Sequence, residues 1–67
     1  MKITINGEAR EFEGSEIPLP ELLESLEMSG RPVVVELDRE PVLPADHPTA
    51  VVKDGSSVEI VLIAAGG

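Results

Sequence analysis

The sequence predicts one two-layer α+β domain, in which a single main helix packs on one face of a mixed sheet of four or five strands. Three patterns carry this prediction: an Asn-Gly pair between two short alternating segments, a stripe of leucines at helical spacing, and several short segments rich in valine and isoleucine. The chain has 67 residues, the size of one small domain. We expect the domain to span residues 1–63 and residues 64–67 to form a flexible Gly-Gly tail.

The chain opens with a predicted β-hairpin. Residues 1–5 alternate polar residues with isoleucine, and the Asn-Gly pair that follows is the strongest short hairpin signal because both residues tolerate a positive φ. Residues 8–13 form the predicted return strand, with Phe12 directed inward. A strict two-residue turn pairs Ile3 with Arg10. Either the aliphatic part of Arg10 then lies at the edge of the core, or the loop contains a bulge.

The leucine stripe predicts the main helix, because its members share one helical face. They recur at i, i+3, i+4 and i+7: Leu19, Leu22, Leu23 and Leu26. Pro18 or Pro20 fits the first turn, where the missing N–H of proline costs nothing. Gly30 is the predicted left-handed residue that stops the helix, and Pro32 prevents its continuation.

Short strands follow the helix. Residues 33–37 predict a β-branched strand with both faces partly covered, and the prolines of residues 41–44 confine that segment to a sheet edge. Residues 50–52 predict a brief strand or bridge, and residues 58–63 the last strand. The first and last strands should lie side by side at the centre of the sheet.

The last strand separates its side chains onto two faces. Alternation places Val58, Ile60 and Leu62 on one face, and Glu59, Val61 and Ile63 on the other. If the first set meets the helix, Val61 and Ile63 are exposed beside the tail. Exposed aliphatic side chains next to a functional chain end predict a partner-docking patch. The alternative is that the tail or a loop covers them.

The composition excludes several classes of function. Thirteen acidic residues against five Lys or Arg give a net charge of −8, which repels nucleic-acid phosphates and attracts a basic protein partner. A single aromatic residue leaves nothing on which bases can stack. No apolar stretch is long enough to cross a membrane and no signal-peptide pattern is present, so we expect a cytoplasmic protein.

The side chains do not predict an enzyme or a metal site. The chain lacks cysteine, and its serines have no nearby base pattern. His47, the only histidine, stands in a polar loop and is expected to be solvated. Asp38, Glu40 and Asp46 lack the glycine and the distal glutamate that a calcium loop requires. We therefore expect no resident cofactor.

The expected reactive group is the terminal carboxylate of Gly67. The residues before it are small: Ala64, Ala65 and Gly66. Glycine has no side chain and accepts any backbone angle, so this segment can thread a narrow channel and expose the carboxylate as a chemical handle.

Several segments along the whole chain match one known family. They are Asn6-Gly7-Glu8, the leucine stripe, Val35-Glu36-Leu37-Asp38, Asp54-Gly55 followed by Val58-Glu59-Ile60-Val61, and Gly66-Gly67. In this order they resemble the β-grasp, ubiquitin-like sulfur carriers, and most of all the thiamine sulfur-carrier family (ThiS). The chain departs from that family at Asp38, where asparagine is common, at Ala45, where arginine is expected, and by the absence of a tryptophan shortly afterwards.

The resemblance implies a β-grasp sulfur carrier and a mechanism carried out by partners. An E1-like (ThiF-like) adenylating enzyme would use ATP-magnesium to adenylate the Gly67 carboxylate. A sulfur donor protein would replace AMP and leave a thiocarboxylate. A thiazole synthase (ThiG-like) would pass the sulfur into the thiazole ring of thiamine.

Other functions fit the same sequence. The small subunit of molybdopterin synthase, a carrier for tRNA thiolation and a ubiquitin-like protein modifier share the fold and the tail, and differ only in their partners. A stand-alone interaction module with an inert tail is the alternative of a different class.

Overall fold

The structure, a computed structural model, describes residues 1–63, and residues 64–67 lie outside the described part. Its elements, in chain order, are β1 (Lys2–Ile5), β2 (Glu8–Glu11), β3 (Glu16–Pro18), α1 (Leu19–Ser25), β4 (Val33–Leu37), β5 (Glu40–Val42), a 3-10 helix (Pro44–Thr49), β6 (Val51–Lys53) and β7 (Ser57–Leu62).

The main sheet has five strands in the order β2-β1-β7-β4-β5. β1 and β7 are parallel neighbours, and the other pairs in this sheet are antiparallel. The predicted mixed sheet with one main helix is therefore confirmed, as is the central position of the first and last strands. β3 and β6 form a separate two-stranded antiparallel sheet, which the sequence analysis did not predict.

The extra strand β3 lies directly before the helix. Ile17 precedes a proline, and a following proline disfavours the α-helical conformation. The chain therefore stays extended through Pro18, which is the N-cap of α1, and Pro20 lies in the first helical turn as predicted. Because β3 is extended, it can pair with β6, where Ile17 lies opposite the fully buried Val52.

The core lies between α1 and one face of the main sheet, and the small sheet closes it at the side. Its buried members are Ile3 and Ile5 from β1, Leu19, Leu22 and Leu23 from α1, Val35 from β4, Val52 from β6, and Val58 and Ile60 from β7. Phe12 is half-buried and packs against this core from just beyond the end of β2.

The helix ends earlier than predicted. Glu27, not Gly30, is the left-handed residue that stops it, with φ of 60°. The N–H of Met28 donates to the carbonyl of Leu23 at 2.8 Å, and the N–H of Glu27 donates to that of Glu24 at 3.0 Å. These two bonds form a Schellman motif, in which glycine is the usual left-handed residue. Gly30 instead serves the turn after the helix, where it also has a positive φ.

The first hairpin has a strict two-residue turn. Ile3 lies opposite Arg10, and pairing continues without interruption from Lys2 and Glu11 to Ile5 and Glu8. The bulge considered above is therefore wrong. Arg10 lies on the helix-covered side at the edge of the sheet, where it lines a cavity of about 350 Å³ beside the end of α1.

Side chains extend the pairing of β1 and β7 at both ends. At one end, the Asn6 side chain accepts a hydrogen bond from the Ile60 N–H at 2.7 Å and donates to the Ile60 carbonyl at 3.1 Å. At the other end, Asp54 accepts a hydrogen bond from the Lys2 N–H at 2.8 Å. The Asn6 amide thus takes the place of a peptide group in the ladder between the two central strands.

The two hydrogen bonds between the Asn6 side chain and the Ile60 backbone predict that replacing Asn6 by glycine lowers the stability of the domain. Asn6→Gly preserves the positive φ of the turn but leaves the partly buried N–H and carbonyl of Ile60 without the Asn6 side chain as a partner, which should cost about 1–3 kcal/mol. The free energy of unfolding, measured by urea denaturation, checks this.

Arg39→Gly is the matched control. Arg39 has φ of 71° in the two-residue turn between β4 and β5, so this substitution also places glycine at a left-handed position. It should remain within about 1 kcal/mol of the parent chain, because relief of backbone strain offsets the greater freedom of the unfolded chain. Equal losses in the two variants would contradict the role assigned to the Asn6 amide.

Candidate functional site

The face of the main sheet that α1 leaves uncovered is the candidate site. Along β7, the buried Val58 and Ile60 face the core, and the exposed Glu59 and Val61 face the open side. Along β4, Val35 is buried and Val34 and Glu36 are exposed. The open face therefore follows directly from strand alternation.

Four exposed aliphatic residues on this face form what we call the apolar patch. They are Val34, 47% exposed, Leu43, 61% exposed, Val61, 60% exposed, and Ile63, 49% exposed. Val34 lies directly opposite Val61 in the ladder between β4 and β7. Val42 pairs with Val35 on the core side, so alternation places the next residue, Leu43, on the open side.

The patch reaches the end of the described chain. The N–H of Ile63 donates to the Pro32 carbonyl at 2.9 Å, which continues the pairing of the last strand beyond Leu62. Ile63 is thus held by the backbone immediately before residue 64. Within residues 1–63, Val61 and Ile63 are exposed as predicted, and no loop covers them. Their predicted role in docking a partner stays a prediction.

Half of the apolar patch was not predicted from the sequence. Val34 belongs to a dense β-branched segment, and the expectation that both faces of this strand are partly covered is wrong on the open side. Leu43 was assigned only to an extended edge segment. The available signal was strand alternation, which places Leu43 on the open side once Val42 is known to face the core.

Two glutamates border the apolar patch. Glu36 on β4 lies directly opposite Glu59 on β7, and both side chains are exposed. Like charges in this cross-strand relation destabilise a sheet, by an amount comparable to the roughly 0.2–1 kcal/mol that favourable pairs contribute. The pair therefore adds negative charge to the open face at a cost in stability.

β7, which carries most of the site, is held firmly in place. It pairs with β4 along its length, and with β1 on the other side. At the start of β7, the Asp38 carboxylate accepts a hydrogen bond from the Ser57 N–H at 2.9 Å and one from the Ser56 hydroxyl at 3.4 Å. The open face is consequently a fixed surface.

The remaining candidate residues do not assemble into a second site. His47 is half-buried in the 3-10 helix, and its Nε2 lies 3.1 Å from the Val42 carbonyl, so the expectation of a solvated loop histidine is wrong. Within residues 1–63, no group of His, Cys, Asp and Glu is arranged to hold a metal ion. No helix in that range combines the length and hydrophobicity needed to span a bilayer.

The predicted tail residues are Ala64, Ala65, Gly66 and Gly67, and they lie outside the described residues. Their roles in threading and modification stay predictions. What the structure does define is the position of Ile63, from which they continue.

Two solved structures from Geobacter metallireducens are similar to this chain. The crystal structure of its thiamine biosynthesis protein ThiS is 32% identical in sequence, with a TM-score of 0.84 over all of both chains. The solution structure of a thiamine biosynthesis protein from the same organism is also 32% identical, with a TM-score of 0.79 over all of this chain and 88% of the other.

A longer relative also matches. A thiazole synthase from Paramagnetospirillum magneticum is 39% identical over 67 residues. The match covers all of this chain and 20% of that protein, so the chain spans about a fifth of the length of this curated relative.

A family model agrees with these structures. The model of the ThiS family matches residues 3–67, which include the whole described fold except its first two residues. Together with the five-stranded sheet and single main helix, this confirms the resemblance inferred from the sequence motifs: the chain belongs to the ThiS family.

Proposed function

We propose that this chain is a sulfur carrier for the synthesis of the thiamine thiazole ring, with the Gly67 carboxylate as the group that carries sulfur. The observation that carries the proposal is the match to the ThiS family over residues 3–67, which takes in the terminal Gly66-Gly67. The likeness over the full length to a thiamine biosynthesis protein supports the same pathway.

The proposed chemistry has two steps. In the first, an oxygen of the Gly67 carboxylate attacks the α-phosphorus of ATP-magnesium in an E1-like enzyme, and pyrophosphate leaves. In the second, a sulfur nucleophile at the oxidation level of sulfide, supplied by a sulfur donor protein, attacks the acyl carbon, and AMP leaves. The carbonyl carbon keeps its oxidation state, and one carboxylate oxygen departs with AMP.

The composition of the tail supports this scheme. A carboxylate is a poor acyl donor until it is adenylated, and water would hydrolyse the adenylate, so the activating enzyme has to enclose the tail. A side chain at Gly66 or Gly67 would obstruct a channel narrow enough to exclude water. Ala64 and Ala65 extend this stretch of small residues toward the folded domain.

The carrier itself presents the Gly67 carboxylate, and its partners supply the catalytic groups. ATP and magnesium belong to the E1-like enzyme, which also provides the electrostatic stabilisation of the reaction. We propose that this enzyme docks on the apolar patch, because Val61 and Ile63 are exposed and lie immediately before the tail. A thiazole synthase is the proposed recipient of the sulfur, in keeping with the relative of that name.

Substitutions in the tail should strongly reduce activation without unfolding the domain. Gly67→Ala and Gly66→Val should reduce pyrophosphate release by the cognate adenylating enzyme by about 100-fold, because small misplacements of a reacting group have effects of that size. Their melting temperatures should stay within about 4 °C of the parent, since the buried core lies between Ile3 and Ile60.

The control for the tail variants is a core substitution that lowers the stability of the domain. Leu23 is 7% exposed, so Leu23→Ala should cost about 2–5 kcal/mol of stability.

An intact mass spectrum of the parent chain after reaction with a sulfur donor should show the exchange of one oxygen for sulfur. Pyrophosphate release that is unchanged after deletion of Gly67 would refute the proposed function.

The apolar patch should be required for recognition by the adenylating enzyme. Val61→Ser removes apolar surface that the free chain exposes, and should raise the KM for the carrier about tenfold, since a partly buried valine contributes about 1–2 kcal/mol. Leu62→Ser is the matched control, because alternation places Leu62 on the opposite side of the same strand. A larger effect at Leu62 than at Val61 would place the docking face on the other side.

A further inference from the structure

The charged residues of the open face are distributed unevenly. In one half of the sheet, Lys2 on β1 lies directly opposite Glu11 on β2, so residues of opposite charge are cross-strand neighbours. In the half that carries the apolar patch, Glu36 lies opposite Glu59 and like charges meet. The free domain gains no stability from that arrangement, because directly opposed carboxylates repel each other.

The glutamate pair is continuous with the apolar patch. Glu36 and Val34 are consecutive residues on the open side of β4, and Glu59 and Val61 are consecutive on the open side of β7. A row of two carboxylates therefore adjoins a row of two valines. Protein interfaces commonly surround an apolar centre with a polar, charged rim, and this pair lies where such a rim would begin.

We infer that Glu36 and Glu59 act together as an acidic rim that selects a basic side chain on the adenylating enzyme, while Val61 and Ile63 make the apolar contact. This inference rests on the proposed function. The side chain that fits best is arginine, whose planar guanidinium offers several donors in a fork and can engage both carboxylates. Its charge also removes the repulsion within the pair, so the same two residues that weaken the free sheet strengthen the complex.

A basic partner surface suits this face better than a second copy of the chain does. Pairing the face with itself would bring two glutamate pairs into one contact between molecules that each carry a net charge of −8. The same net charge would attract a basic surface and accelerate its association.

The test measures KM for the carrier and kcat of pyrophosphate release by the cognate adenylating enzyme, at low and high salt. Glu36→Gln and Glu59→Gln should each raise KM about five- to tenfold at low salt with kcat unchanged, as expected for the loss of one charged hydrogen bond. The difference from the parent should shrink at high salt, because salt screens the ion pair. Neither variant should melt below the parent chain.

Two further variants test whether the effect on KM depends on a carboxylate at the rim and not on side-chain length or on the net charge of the chain. Glu59→Asp keeps the carboxylate and should retain most of the affinity. Glu24→Gln removes the same charge from the exposed side of α1 and should leave KM unchanged.

Three results would overturn the inference. If both glutamine variants keep KM within about twofold of the parent while Val61→Ser raises it, the patch docks without the acidic rim. If Glu24→Gln raises KM as much as Glu59→Gln, the effect is one of net charge. If light scattering shows a dimer that Val61→Ser dissociates, a second copy covers the face. Absence of pyrophosphate release with the parent chain would instead reject the proposed function, and the inference with it.

Discussion

The structure depends on the parallel pairing of β1 with β7, which brings the two ends of the described chain together. The direct pairing is short, with Thr4 opposite Ser57 and Ile5 opposite Val58. Side chains lengthen it. The Asn6 side chain bonds the backbone N–H and carbonyl of Ile60, and the Asp54 carboxylate accepts a hydrogen bond from the Lys2 N–H. A non-local pairing of this kind pays for loop closure before it gains any contact. The side-chain bonds at both ends therefore matter more here than they would in a hairpin.

This pairing also decides where function can reside. It fixes β7 at the centre of the sheet, with Val58 and Ile60 committed to the core, so Val61 and Ile63 fall on the open face. A chain of 67 residues can build only a small core, and α1 covers one face of the sheet. The uncovered face leaves apolar surface for a partner. The proposed chemistry then lies outside the core that folding builds.

Periodic patterns in the sequence predicted most of the fold and part of the site. The leucine stripe and the alternation of the last strand led to the helix face and to the exposure of Val61 and Ile63. The end of the helix was not predictable, because Glu27 adopts a conformation in which glycine is expected, stabilised by bonds from Met28 to Leu23. The pairing of β4 with β5 and β7 could not be predicted from the pattern either. Val34 and Leu43 joined the patch only through the register of β4 with its neighbours.

The like-charged pair on the open face has a consequence for how such a carrier binds and leaves its partners. Directly opposed carboxylates such as Glu36 and Glu59 repel each other in the unbound chain. In the proposed complex a basic side chain relieves this repulsion, and the relief contributes to the affinity. That contribution is electrostatic and is screened by salt, whereas the contribution of the apolar patch is not. In the proposed function, the chain binds an activating enzyme and then a sulfur acceptor, so it has to release each in turn. An interface whose charged part forms rapidly and is weak at physiological salt suits that exchange better than an extended apolar contact would.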